Sequence, residues 1–144
     1  KALALRQTLD QPYMAVESRA GLARVALARG DLAEAQAQVE EIAAYLLAHD
    51  VLEGPEEPLR VYWTTYQVLR VAHQDERALR ILNGAHTLLQ ERAAGITDET
   101  MRRSFLENVA PNRAVPRGCT RQRRAVRLRR RSARRPVSAG VSVR

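Results

Sequence analysis

The sequence predicts an all-α protein built from stacked helical hairpins, and three observations carry that expectation. Apolar residues recur at spacings of three and four, the period of a helix face, over most of residues 12–109. Apolar residues make up 45% of the chain but aromatics only 4%, which points to an Ala/Leu-rich helical core. Glycine and proline sit between the periodic stretches, where a helix has to end.

The elements follow in order. Lys1 to Leu9 reads as the end of a preceding helix, stopped near Pro12, so the chain reads as a piece of something longer. A first hairpin over about 12–49 contains "AGLARVALARGDLAEAQAQVEEIAAYL" (20–46). Gly30 can take the left-handed conformation that ends one helix, and Asp31 can cap the next by accepting backbone N–H bonds. In that second helix Leu32, Ala35, Val39, Ile42 and Leu46 share one face.

The segment "HDVLEGPEEP" (49–58) breaks the helix with Gly54, Pro55 and Pro58. Its acidic cluster, Glu53, Glu56 and Glu57, lacks the oxygen-ligand spacing of a calcium loop and reads as a solvated turn. A second hairpin over 58–94 carries Leu59, Tyr62, Tyr66 and Leu69 on one helix and Ala78, Leu82, Ala85 and Leu89 on the other. Gly95 closes it. Asp98 then caps a terminal helix over 98–109, with Met101, Phe105 and Val109 as its stripe and Glu99 placed to pair with Arg103. Pro111 is expected to end this helix, leaving residues 111–144 as a disordered basic tail beyond a folded domain of 1–110.

The residues of the two hairpins fall on a repeat pattern. Leu22, Ala23, Ala26, Gly30, Leu32, Ala35 and Val39 fit the first unit of a tetratricopeptide repeat; Tyr62, Leu69, Ala78, Leu82 and Ala85 fit a second. In the second unit Tyr66 stands where a small residue is usual, and His73 where the turn glycine is. With "EEPLRVYWTTYQVLR" and "LLQERAAGITDETMRRSFLENV", residues 1–113 resemble the MalT-like helical repeats at the C-terminal end of large bacterial ATP-binding regulators. The resemblance implies a right-handed solenoid. It also implies a non-catalytic interaction or sensor segment, whose partner is a protein or the upstream domains of a larger signalling chain. After "SFLENV" such relatives continue with a helical apolar stretch, whereas this chain gives "APNRAVPRGCTRQRR", so the pattern breaks at about residue 110.

The net charge of +8 is unevenly placed. Residues 114–144 hold eleven Arg and no Lys, Asp or Glu, so residues 1–113 hold thirteen basic against sixteen acidic side chains, a net of −3. The stretch "RQRRAVRLRRRSARR" (121–135) admits three readings. It could be an arm that binds nucleic-acid phosphates, with Arg123, Arg124, Arg127, Arg129, Arg130 and Arg131 as its contacts. It could be a solvated charged extension. It could also be the out-of-frame translation of a GC-rich gene, and its wealth of Arg, Ala, Pro, Ser, Gly and Val without Lys fits that origin best.

Catalytic chemistry finds no support in the motifs. The sequence has no glycine-rich phosphate loop, no G-x-G-x-x-G and no G-x-S-x-G. His49, His73 and His86 lack the i,i+4 spacing of a helical metal pair, and Cys119 stands alone. We therefore expect no enzyme, cofactor or metal. The group Tyr62, Trp63 and Tyr66 could anchor a partner in a solenoid groove, although Tyr62 and Tyr66 also suit the core between repeats. No run of about 18 apolar residues and no leading signal segment are seen, so no membrane association and a cytoplasmic setting are expected.

Overall fold

The computed structural model describes residues 12–49, 52 and 54–133. The described residues form helices α1 (Pro12–Ala28), α2 (Leu32–Ala48), α3 (Pro58–Val71), α4 (Asp75–Ala94), α5 (Glu99–Asn108) and α6 (Ala110–Ala133), with no strand among them. The expected segment Lys1 to Leu9 lies outside the described residues.

The hairpin boundaries follow from local chemistry. Gly30 has φ +79°, and at Asp31 the side-chain Oδ1 accepts the Glu34 N–H at 3.0 Å, so α1 ends and α2 starts within three residues. Asp98 caps α5 in the same way, accepting the Met101 N–H at 2.8 Å. Pro58 opens α3, where its missing N–H costs nothing. The loop before it is tied to α1 by the Glu57 N–H, which donates to Glu17 Oε1 at 3.0 Å. Glu57 also pairs with Arg60 at 2.7 Å, in keeping with a turn whose charges are used locally; Glu53 lies outside the described residues. At the α3–α4 turn His73 takes φ +58°, the left-handed conformation that favours glycine.

α1 packs on α2 and α3 on α4, and the two hairpins meet through α1 with α3, α2 with α3, and α2 with α4. Ala23, Ala26 and Ala35 are buried where α1 and α2 cross, and with Val39 and Val68 they form one core cluster. Short side chains there let the helix axes approach closely. The larger cluster joins Ile42, Leu46, Leu59, Tyr62, Leu69, Ile81, Leu82 and Leu89.

The apolar stripes expected for α2 and α4 are buried as anticipated, except that Leu32 is half-buried. α3 is buried more widely than its stripe predicts, because Val61, Thr64, Thr65 and Val68 are also covered. It lies between α1, α2, α4 and α6, so no side faces water for its whole length. Its two buried threonines remain satisfied: Thr64 Oγ1 donates to the Arg60 carbonyl at 2.9 Å and Thr65 Oγ1 to the Val61 carbonyl at 3.0 Å. α5 departs the other way. Met101 is 66% exposed and Val109 exposed, so its predicted stripe reaches the core only through Phe105, with Leu106 beside it. Glu99 pairs with Arg102, one residue short of the anticipated Arg103.

The largest departure from expectation begins at residue 110. Instead of a disordered tail, Ala110–Ala133 forms α6; the remainder of the tail, 134–144, lies outside the described residues. α5 ends just ahead of Pro111, as expected, but Pro111 then sits in the first turn of a new helix, where proline is tolerated. Pro111, Asn112, Val115 and Gly118 are buried at spacings of one, three and three, facing α3, α4 and α5. Asn112 Nδ2 donates to the Phe105 carbonyl at 2.8 Å, which fixes α6 to the preceding helix. Pro116 lies inside α6 and removes the helical bond to the Asn112 carbonyl, a cost of about 3 kcal/mol. Burial of Val115, worth ~1.5–3 kcal/mol, and the Asn112 bond, worth ~0.5–1.5 kcal/mol, offset it.

Candidate functional site

A groove of about 460 Å³ runs between α3 and α6 and reaches the end of α1. α3 contributes Trp63, Tyr66, Gln67, Arg70 and Val71, spaced three or four apart or adjacent, so that a single face lines it. α6 supplies Arg113, Arg117 and Arg121 at intervals of four, with Ala110, Ala114 and Gly118 beside them; Leu27 closes the end. This face of α6 lies next to the one that Val115 buries. One helix therefore holds the fold together with one stripe and lines the groove with another.

The aromatic floor is set by packing. Trp63 and Tyr66 have ring centroids 5.1 Å apart with planes tilted by 35°. Both pack on the main core cluster while keeping an edge open to the groove. Gly118 permits this approach: a Cβ there would lie 3.1 Å from Trp63 Cζ3 and 3.2 Å from Leu82 Cδ1.

The electrostatics are one-sided. Arg70 is neutralised in part by Asp75, with Nη1 to Oδ1 at 2.7 Å. Arg113, Arg117 and Arg121 are exposed and make no ion pair among the described residues, and no carboxylate lines the groove among them either. Four guanidinium groups thus face an apolar and aromatic floor, an arrangement suited to an anionic group carried beside an apolar one. It holds no nucleophile, no base within reach of one, and no metal-type cluster of His, Cys, Asp and Glu among the described residues.

The residues anticipated from sequence separate here. Trp63 and Tyr66 line the groove, but Tyr62 is 2% exposed and belongs to the core, where its ring edge also limits the space at Gly84. Of the arginines assigned to phosphate contact, Arg124 is an exposed residue of α6; the side chains of Arg123, Arg127, Arg129, Arg130 and Arg131 lie outside the described ones. The arginines that meet the aromatics are instead Arg70, Arg113, Arg117 and Arg121. The signal for three of them was the interval of four across "RAVPRGCTR", which shows only when a helix is continued through Pro116.

A second, more polar recess of about 300 Å³ lies between α2 and α4, lined by His49, Arg80, Asn83 and Thr87 among others. Arg80 there is engaged with the Leu47 carbonyl at 3.1 Å, and His49 with the Tyr45 carbonyl and ring.

No protein-family model, curated protein or solved structure matches the chain. Among the described residues no helix is long and apolar enough to cross a membrane.

Proposed function

We propose that the chain is a non-catalytic protein-interaction or sensor segment, built as a tetratricopeptide-like stack of the kind carried by large bacterial ATP-binding regulators. The neighbour relations support a stack. Each hairpin touches the next, and α6 lies against both α3 and α4, the place the first helix of a third unit would take. On this reading α1, α3 and α6 are successive first helices, and their shared side is the binding side.

The observation that carries the proposal is the groove itself, where Trp63 and Tyr66 from α3 meet the arginine stripe of α6. Buried aromatic anchors ringed by arginine are the residue types that dominate binding energy at protein interfaces. Selection of random peptides on the full chain tests it. Enriched peptides that lose binding to Trp63→Ala support the reading, and failure to enrich any peptide overturns it.

The second reading, nucleic-acid binding through the arginines of 121–135, is favoured by their density in the sequence and by the exposure of Arg121 and Arg124 on α6. Mobility-shift assays over a salt series test it, since log affinity should fall by ~0.9 per phosphate contact for each log unit of salt on duplex DNA.

A further inference from the structure

We infer that the partner held between α3 and α6 is an acidic peptide segment, extended, with an apolar side chain among its carboxylates. This rests on the interaction reading above and names its chemistry.

The arginine spacing comes first. Arg113, Arg117 and Arg121 stand one helical turn apart, about 6 Å along the axis. Alternate side chains of an extended chain recur at about 6.6 Å, so carboxylates two residues apart can each meet one guanidinium. A planar guanidinium takes a carboxylate through two parallel N–H bonds, and these three have no competing acid among the described residues.

The floor decides between anions. Beside the arginines lie Leu27 and Val71, the latter 50% exposed, and the open edge of Trp63. An aliphatic or aromatic peptide side chain fills such a strip. A nucleic-acid strand instead needs free aromatic faces on which bases stack. The Trp63 and Tyr66 rings pack against one another, with centroids 5.1 Å apart, and against the core cluster, which leaves less ring surface for bases to stack on. Residues 1–113 carry a net −3 and residues 114–144 a net +11, so overall charge does not separate the two anions and the apolar strip does.

The test uses the full chain and the intrinsic fluorescence of Trp63, its single tryptophan. Random peptides are selected on the protein, and those enriched are titrated against the wild type, Arg113→Gln/Arg117→Gln and, as a control away from the groove, Arg80→Gln. The inference expects enriched sequences to pair Asp or Glu with an apolar residue and to change Trp63 emission. Affinity should fall roughly tenfold for each arginine removed, while Arg80→Gln leaves it unchanged. Neutral or basic enriched peptides, or acidic ones indifferent to Arg113 and Arg117, overturn the inference while leaving the interaction reading in place. A short oligothymidylate that displaces the peptides and binds more tightly at equal salt reassigns the groove to nucleic acid. Absence of any enriched peptide overturns both readings.

Discussion

Gly118 of α6 lies against Trp63 of α3, so near that a Cβ at position 118 would stand 3.1 Å from the indole ring. The close approach buries Val115 next to it and gives the groove its wall. Alanine at 118 gains ~1 kcal/mol of helix propensity but must displace the ring and Leu82, so the balance falls near zero. Leucine at 118 has no such accommodation, and Gly118→Leu should cost ~1–3 kcal/mol and shift Trp63 emission to the red as α6 moves away. Thermal unfolding followed by tryptophan fluorescence measures both.

His73 holds the left-handed turn between α3 and α4 at φ +58°. A side chain in that conformation costs ~1–2 kcal/mol, while a glycine adds unfolded-state entropy worth ~0.4–1 kcal/mol against folding. His73→Gly is therefore expected to raise stability by about 0.5–1 kcal/mol. His73→Val, with its branched Cβ, should lower it. Denaturant midpoints of the two variants should move in opposite directions.

The two aspartate caps should differ in their reach. Asp31→Ala removes the bond to the Glu34 N–H at the start of α2, whose Ala35, Val39 and Ile42 are in the core, so ~1 kcal/mol should be lost from global stability. Asp98→Ala removes the equivalent bond in α5, a helix without a buried residue. There the loss should appear as local fraying, read by amide exchange over 99–104, with the global midpoint almost unchanged.

The encoding DNA supplies a prediction of another kind. On the proposed MalT-like reading the repeat pattern stops at about residue 110, close to where the arginine-rich segment starts, so α6 is either native or the product of a shifted frame. With α6 part of the folded unit, neither alternative frame after codon 109 should continue in a helical apolar pattern. A frame that does continue it would remove α6, and the groove with it.

The hairpins were legible in the sequence because their signals are local. Gly30 with Asp31 and the three-and-four spacing of Val39, Ile42 and Leu46 are stated within a few residues, and His73 was placed at the turn position that its φ occupies. The wide burial of α3 was not legible, since Thr64 and Thr65 become interior only when four other helices surround them. α6 was hidden by its own composition. Arginine density and two prolines outweighed the thin stripe of Pro111, Val115 and Gly118, whose burial depends on a cleft between α3 and α4 that no local pattern announces. The aromatic half of the groove was visible in Trp63 and Tyr66; its basic half was assigned to a separate tail.

Amide hydrogen exchange over residues 113–122 tests most directly whether α6 is part of the fold. A docked helix predicts protection for Val115, Gly118 and Cys119 approaching that of Leu82 and Ala85 in α4. Exchange of those amides at the rate of an unfolded chain, with α4 still protected, would contradict the account and leave the groove without its second wall.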